Sequence, residues 1–400
     1  MSSWLLAAIG VAGAGLAVVV NAGAAGSAAA QAWPAFVLVA GLLLVGMVAA
    51  EDGLFAAAGA ALRRVCPNRL VLFSGMAALI MAVSAVLNLD TAVAFLTPVA
   101  VSAGGRRADA SLDTKDAPDT KDAQDKVVAA LLPACILLAN AGSLLLPGSN
   151  LTNLIVVTHA RVAAGTFVSR MALPWLAVGL ITTTAIAAFS RGALRGRPDA
   201  ILSSTAGDGE DLRSATVTAR RTGVGALAIA AAVAAMLAIS SPSLVVAVIG
   251  LAAAAVRVLG RSLKPQRVVE VLNLPVLVGL MGLATAVGAL GRLWSGPSTL
   301  LGHLDPLGTA VAAALSTVFF NNLPAASLLS ARAVTHPFAL MLGLDVGPNL
   351  FVSGSLAWVL WLSSSRACGV DPGLRRAVRI GLVAAPVATL AGVAALMLTS

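Results

Sequence analysis

Four short stretches put hydrogen-bonding side chains into otherwise lipid-soluble sequence: "NLDT" (88–91), "PGSNLTN" (147–153), "FNNLP" (320–324) and "GPNLFVSGS" (347–355). Each offers amides, hydroxyls or, at Asp90, a carboxyl. Polar groups at membrane depth are costly unless they are paired or used. Interrupting a helix frees N–H groups where one half-helix starts and carbonyls where the other ends. Amides and hydroxyls around such a gap can replace the hydration of a small polar solute. The chemistry on offer is therefore solvation and release rather than covalent catalysis. Gly, Ser and Thr also let membrane helices pack closely, which would account for one such stretch. Four at matching places are harder to produce by packing alone.

The background is strongly apolar. Of 400 residues, 59% are hydrophobic and 11% charged, with mean hydropathy +0.95. Apolar runs of about 20 residues, the length a helix needs to cross a hydrocarbon core, recur along the chain. This composition predicts an all-α polytopic membrane protein. A β-barrel would show short alternating segments and aromatic girdles, and this chain has no Tyr. Trp4 to Val20 is read as a retained first span, because Met1 to Ser3 lack the positive charge of a secretory signal. Cys66, Cys135 and Cys368 have no paired spacing, so neither a disulfide framework nor an ordinary zinc site is expected.

Single spans are predicted at about 4–20, 34–62, 168–190, 223–240, 243–259, 272–292 and 374–398. Broken spans follow at 127–158 and 337–362. The stretches 70–102 and 306–335 are too long for one span and have a polar centre, which predicts re-entrant helical hairpins. Loose backbone at that depth must be buried in protein or line a cavity. With the N-terminus cytoplasmic and both hairpins returning to their own side, 22 of the 26 Lys and Arg fall in cytoplasmic segments. Only Arg161, Arg170, Arg292 and Arg332 lie outside, as the positive-inside rule requires. The same excess accounts for the net charge of +9 without nucleic acid. Residues 109–125, with the near-repeat "DTKDA", read as a polar cytoplasmic loop.

Residues 191–222 divide the chain into a first half (1–190) and a second (223–400), acting as a cytoplasmic linker. Each half runs span, hairpin, broken span, span, but the hairpins enter from opposite sides. An inverted-topology repeat of this kind places a solute site near the midplane, where discontinuous helices meet. Asn88, Asp90, Thr91, Ser149, Asn150, Thr152 and Asn153 are the expected site residues of the first half. Asn321, Asn322, Asn349, Ser353 and Ser355 are their counterparts. Asp90 is an intramembrane acid, hence the first candidate for proton coupling, with helix capping as its structural alternative. Glu51, with Asp52, is a second candidate for a proton path. Asp345 reads as a capping or interfacial acid beside the second broken helix.

The segments "NLDTAVAFLTPVAV" (88–101), "AGSLLLPGSNLTNLIV" (141–156), "FFNNLPAASLL" (319–329) and "LDVGPNLFVSGSLAWVLW" (344–361) resemble the arsenical pump membrane proteins. That family belongs to the ion transporter superfamily, with sodium/dicarboxylate symporters and sodium/proton antiporters. "EDGLF" (51–55) is similar to an acidic-Gly-aromatic patch of such permeases. The resemblance implies a multi-pass plasma membrane exporter of arsenite or antimonite that exchanges them for protons. Homodimerisation and a separate ATPase subunit are further expectations by analogy. The residues leave open a sodium/proton antiporter and a sodium-coupled di- or tricarboxylate symporter. An intramembrane protease using Asp90 and Asp345 is a remote alternative, since Asp345 sits in "LGLD" rather than a Gly-x-Gly-Asp context. No Walker A, HExxH or GxSxG pattern occurs, so neither intrinsic ATPase nor hydrolase activity, and no cofactor, is expected.

Overall fold

The computed structural model describes residues 3–66, 68–105, 118–160, 162–195, 223–239 and 241–399. Most of the Asp-rich loop and of the linker lies outside the described residues. Those described are mostly helical, with no strand among them. Six helices among them are long and apolar enough to cross a membrane. The chain is an all-α polytopic membrane protein.

Helix α1 (Ser3–Glu51) is two arms rather than one rod. Asn21 takes an extended conformation between them (φ −160°), and its side chain accepts from Ala24 N at 2.8 Å, starting the second arm. Both arms pack along α12 (Leu274–Leu293), and the second also along α10 (Ser243–Leu259). At the crossing with α10, a Cβ on Gly41 would stand 2.6 Å from the Val246 carbonyl oxygen, so only glycine permits that approach. Buried Gln31 ties α1 across the molecule, donating to Ile155 O at 2.9 Å and Ser330 Oγ at 3.1 Å while accepting from Arg292 Nη2 at 2.7 Å.

The predicted span 34–62 is two elements. The helix ends at Glu51, Gly53 turns the chain with φ 74°, and α2 (Leu54–Val65) follows as a separate helix ending in Arg63 and Arg64. The reason lies in Asp52, whose carboxylate turns inward to pair with Arg257 of α10 and accepts from Gly225 N at 2.8 Å. Both side chains are largely buried, 5% and 13% exposed. Removing one partner of such a pair leaves an uncompensated charge. Arg257→Ala is accordingly expected to cost about 3 kcal/mol, most of it recovered by adding Asp52→Asn. Thermal unfolding of the purified single and double variants checks this; equal losses in both would mean that the guanidinium acts through packing alone.

Two helix pairs flank the expected hairpin tips. Arms α3 (Arg69–Val86) and α4 (Leu89–Ala103) pack on each other around Leu87 and Asn88. Arms α14 (Pro306–Phe320) and α15 (Asn322–Leu329) do so around Asn321. The broken helices are α5 (Pro118–Gly142) with α6 (Leu151–Ala160), and α16 (Pro337–Val346) with α17 (Ala357–Ala367). Short 3-10 turns bridge each gap. From Ala130 to Leu144 every residue is buried, so α5 is apolar all round and lies at the centre of the bundle. Helices α7 (Ala164–Phe189) and α18 (Leu374–Leu398) pack together beside it. Short helices α11 (Pro265–Leu272) and α13 (Gly296–His303), and α9 (Val224–Ala238) ahead of α10, complete the second half; the four-residue turn α8 (Arg191–Leu194) follows α7.

Candidate functional site

At the first tip, Asn88 stands between the arms because an asparagine can cap the new helix. Its Oδ1 accepts from Thr91 N at 2.7 Å. The capping role considered for Asp90 therefore belongs to Asn88. Asp90 occupies the first turn of α4, partly exposed, and its carboxyl has no hydrogen bond among the described residues. Asn88 Nδ2 and Thr91 Oγ1 are buried without a partner. The Thr91 methyl lies against Gly46 of α1, where no larger residue would fit.

At the first gap, α5 ends at Gly142 and Pro147–Ser149 form a 3-10 turn, leaving carbonyls outside any helix ladder. Ser149 Oγ serves two of them, lying against Ser143 O and Leu146 O. Its hydroxyl therefore holds the backbone of the break. The three residues beyond it converge on one acid. Asn150 Nδ2 at 2.7 Å and Thr152 Oγ1 at 2.9 Å donate to Asp345 Oδ1, and Asn153 Nδ2 donates to Oδ2 at 2.7 Å. Asn153 Nδ2 also donates to Ser143 O at 3.0 Å. Asp345 is completely buried. The expectation of an interfacial acid is corrected: Asp345 closes the last turn of α16 and faces the break of the other half.

The second gap makes the reciprocal contact. Asn349 Oδ1 accepts from Asn140 Nδ2 at 2.8 Å, and Asn349 Nδ2 donates to Leu137 O at 3.0 Å. Each broken helix thus presents a side chain from just before its own break to the break of the other. Two buried tryptophans fix this gap: Trp358 Nε1 donates to Pro348 O at 2.8 Å, and Trp361 Nε1 to Leu132 O at 2.9 Å. Their rings meet edge to face at 5.5 Å.

The second tip rests on the second gap. Asn321 adopts φ 68° with ψ 152°, a conformation strained for any residue but glycine. Its Nδ2 donates to Ser353 O at 3.1 Å, and Ser353 Oγ donates to Val318 O at 2.6 Å. Among the described residues, Asn322, buried beside it, makes no hydrogen bond through its side chain, and Ser355 Oγ is buried and unpartnered. At the first tip, a Cβ on Gly142 would fall 2.7 Å from Ser84 Cβ, so α3 lies directly against the first gap. The two gaps and the second tip therefore form one hydrogen-bonded polar region, and the first tip packs beside it through α3.

Glu51 stands apart from it. It is exposed at the end of α1, 3.7 Å from Arg267. Asn140, Asp345, Trp358 and Trp361 were not among the expected site residues. A signal existed for the first two: "NAG" (140–142) and "DVG" (345–347) stand at matching places, with a glycine two residues on. An aligned comparison of the two broken helices would have paired them.

The cluster is chemically uniform. It consists of neutral amides and hydroxyls, plus Asp90 and Asp345, and no Lys or Arg bonds into it among the described residues. No group of three or more His, Cys, Asp or Glu that could hold a metal ion occurs among them. Five buried atoms, Asn88 Nδ2, Thr91 Oγ1, Asn140 Oδ1, Asn153 Oδ1 and Ser355 Oγ, lack a protein partner. Buried polar atoms are seldom left so. They are suited to a polar solute or to the water that replaces it. An open groove of about 430 Å³ between α1 and α12, lined by Val11, Val18, Ala22 and Met281, is apolar by contrast and lies outside this cluster.

A family model described as a citrate transporter, CitMHS, matches residues 1–360. No curated protein matches the chain.

Proposed function

Since the chain belongs to the citrate transporter family CitMHS, and so to the secondary transporters, we propose that it carries citrate or a related polycarboxylate across the membrane with protons. The observation that supports this reading most is the set of unpartnered buried atoms at three helix starts, Asn88 Nδ2 and Thr91 Oγ1, Asn153 Oδ1, and Ser355 Oγ. Helix starts at Asn88, Asn150, Asn321 and Leu356 direct free N–H groups and positive dipole ends toward the gaps. Such ends attract carboxylates. An anion can be held there by N–H and O–H donors without an arginine clamp.

In this reading the two halves are inverted repeats, and the two tips and two gaps form one site opened alternately to each side. Asn88, Thr91, Asn322 and Ser355 line the solute. Asp90, unbonded in the first turn of α4, would repel a polyanion when ionised. Substrate and proton would then load together, which is the energetic requirement for symport. Arsenite export rests on the resemblance of the four motifs alone, whereas the match over residues 1–360 favours the carboxylate alternative.

The experiment is uptake of labelled citrate into proteoliposomes under an imposed inward proton gradient without sodium. The expected result is accumulation that collapses with an uncoupler and is competed by unlabelled citrate but not by arsenite. Arsenite movement without citrate movement would restore the export reading. Accumulation driven by sodium alone would make the chain a sodium symporter.

A further inference from the structure

We infer that Asp345 is a proton-carrying site at the crossing of the two broken helices, distinct from Asp90 and from the groups that line the solute. This rests on the transport reading above. Asp345 is wholly enclosed, and its partners Asn150, Thr152 and Asn153 are all neutral donors. The helices packed against it bring no counter-charge to it. Helices α14 and α15 carry no charged residue, and α5 none after Lys126. His159 lies at the far end of α6, while Asp345 meets that helix at its start. Arg170 of α7 stacks on Phe338 at the opposite end of α16, and His336 precedes that same end. Arg375 and Arg379 of α18 are exposed, and Arg376 donates to Ser190 Oγ. A carboxylate enclosed in a membrane interior without a cation is among the costliest groups a fold can keep.

The matching contact is made without a charge. Asn140 stands at the equivalent place in the other broken helix and holds the opposite break through an amide, Nδ2 to Asn349 Oδ1 at 2.8 Å. One crossing uses an amide and the other an acid, so the acid is there for what an amide cannot do. The receiving geometry is also present. Asp345 Oδ2 takes one donor, from Asn153, whose own Oδ1 is buried without a partner. A proton added to Oδ2 makes the carboxyl a donor. Turning the Asn153 amide end for end offers it Oδ1 as acceptor and withdraws Nδ2 from Ser143 O. The carboxylate takes up one proton from the aqueous phase on one side and releases it to the other. In between, loading changes the bonds that join the two halves.

The test uses Asp345→Asn and Asp345→Glu in proteoliposomes. Citrate–citrate exchange should survive in Asp345→Asn, because an amide serves at Asn140. Proton-driven net accumulation should fall about tenfold or more, with a flattened pH profile. Asp345→Glu should keep the pH dependence. A wild-type pH profile and full accumulation in Asp345→Asn would overturn the inference. So would sodium-driven accumulation that this substitution abolishes. Infrared spectra of the substrate-free Asp90→Asn protein give a readout independent of transport and of how well Asp345→Asn folds. A carboxylic C=O band that appears and vanishes with pH, shifts on deuteration and moves when Asp345→Glu is added is expected there, which separates it from the other Asp and Glu of the chain. Its absence would overturn the proton site even if citrate is carried, whereas its presence without citrate transport would fault only the substrate reading.

Discussion

Asn153→Asp should abolish transport and destabilise the folded protein more than any other single change at the polar cluster. The substitution replaces the Nδ2 that donates to Asp345 Oδ2 at 2.7 Å with a carboxylate oxygen. Two like charges at that separation repel by about 6 kcal/mol even at an effective dielectric constant of roughly 20. The Ser143 carbonyl loses its donor at the same time. Asn153→Ala removes the donor without adding charge, and should cost only about 1–3 kcal/mol for the acceptor left unsatisfied. Thermal unfolding of the purified proteins, followed by tryptophan fluorescence, separates the two. A wild-type midpoint for Asn153→Asp held through alkaline pH, where a shared proton would be lost, would mean that Asp345 does not face the first gap.

Gly381→Ala is the second large effect. Gly381 of α18 passes directly beneath the Asn349 carbonyl, and a Cβ there would overlap that oxygen. The obstructing atom is backbone, so no side chain can rotate away. Either α18 or the second gap must move, and movement of the gap breaks the Asn349–Asn140 bond. Overpacking of this kind costs about 1–3 kcal/mol, and here it also displaces the site. Uptake should be lost even where the protein still reaches the membrane. Gly165→Ala is the control, since a Cβ there meets nothing within 4 Å. Equal behaviour of the two variants would show that α18 and the second gap are not in contact.

Much of this arrangement can be read from the residues in order, and the parts that cannot have physical causes. Spans and hairpin arms follow from apolar length and from the Pro, Gly and Asn that interrupt it, signals confined to a few neighbouring positions. The end of α1 at Glu51 escaped because "EDGLF" lies inside a long apolar run. What decides it is Arg257, 205 residues away. The burial of Asp345 escaped for a similar reason. An acid near a Gly-Pro break suits a cap or an interface equally well. Only the crossing of α16 over the first gap, 192 to 195 residues distant, selects between them. Nothing in the sequence marks Trp358 and Trp361, because their N–H acceptors, Pro348 O and Leu132 O, are set by the fold.

The measurement that bears most directly on a substrate site at the helix gaps is equilibrium binding of citrate to the purified wild type, Thr91→Val and Ser355→Ala. Neither hydroxyl has a protein partner, and both are buried. If they serve only the fold, removing them should leave binding unchanged and stability the same or higher, because an unsatisfied group has gone. If they hold the solute, each variant should keep its unfolding midpoint and bind citrate about tenfold more weakly, one lost hydrogen bond to a charged group. Weakened binding with an intact fold is the predicted result; unchanged citrate affinity in both variants would contradict it.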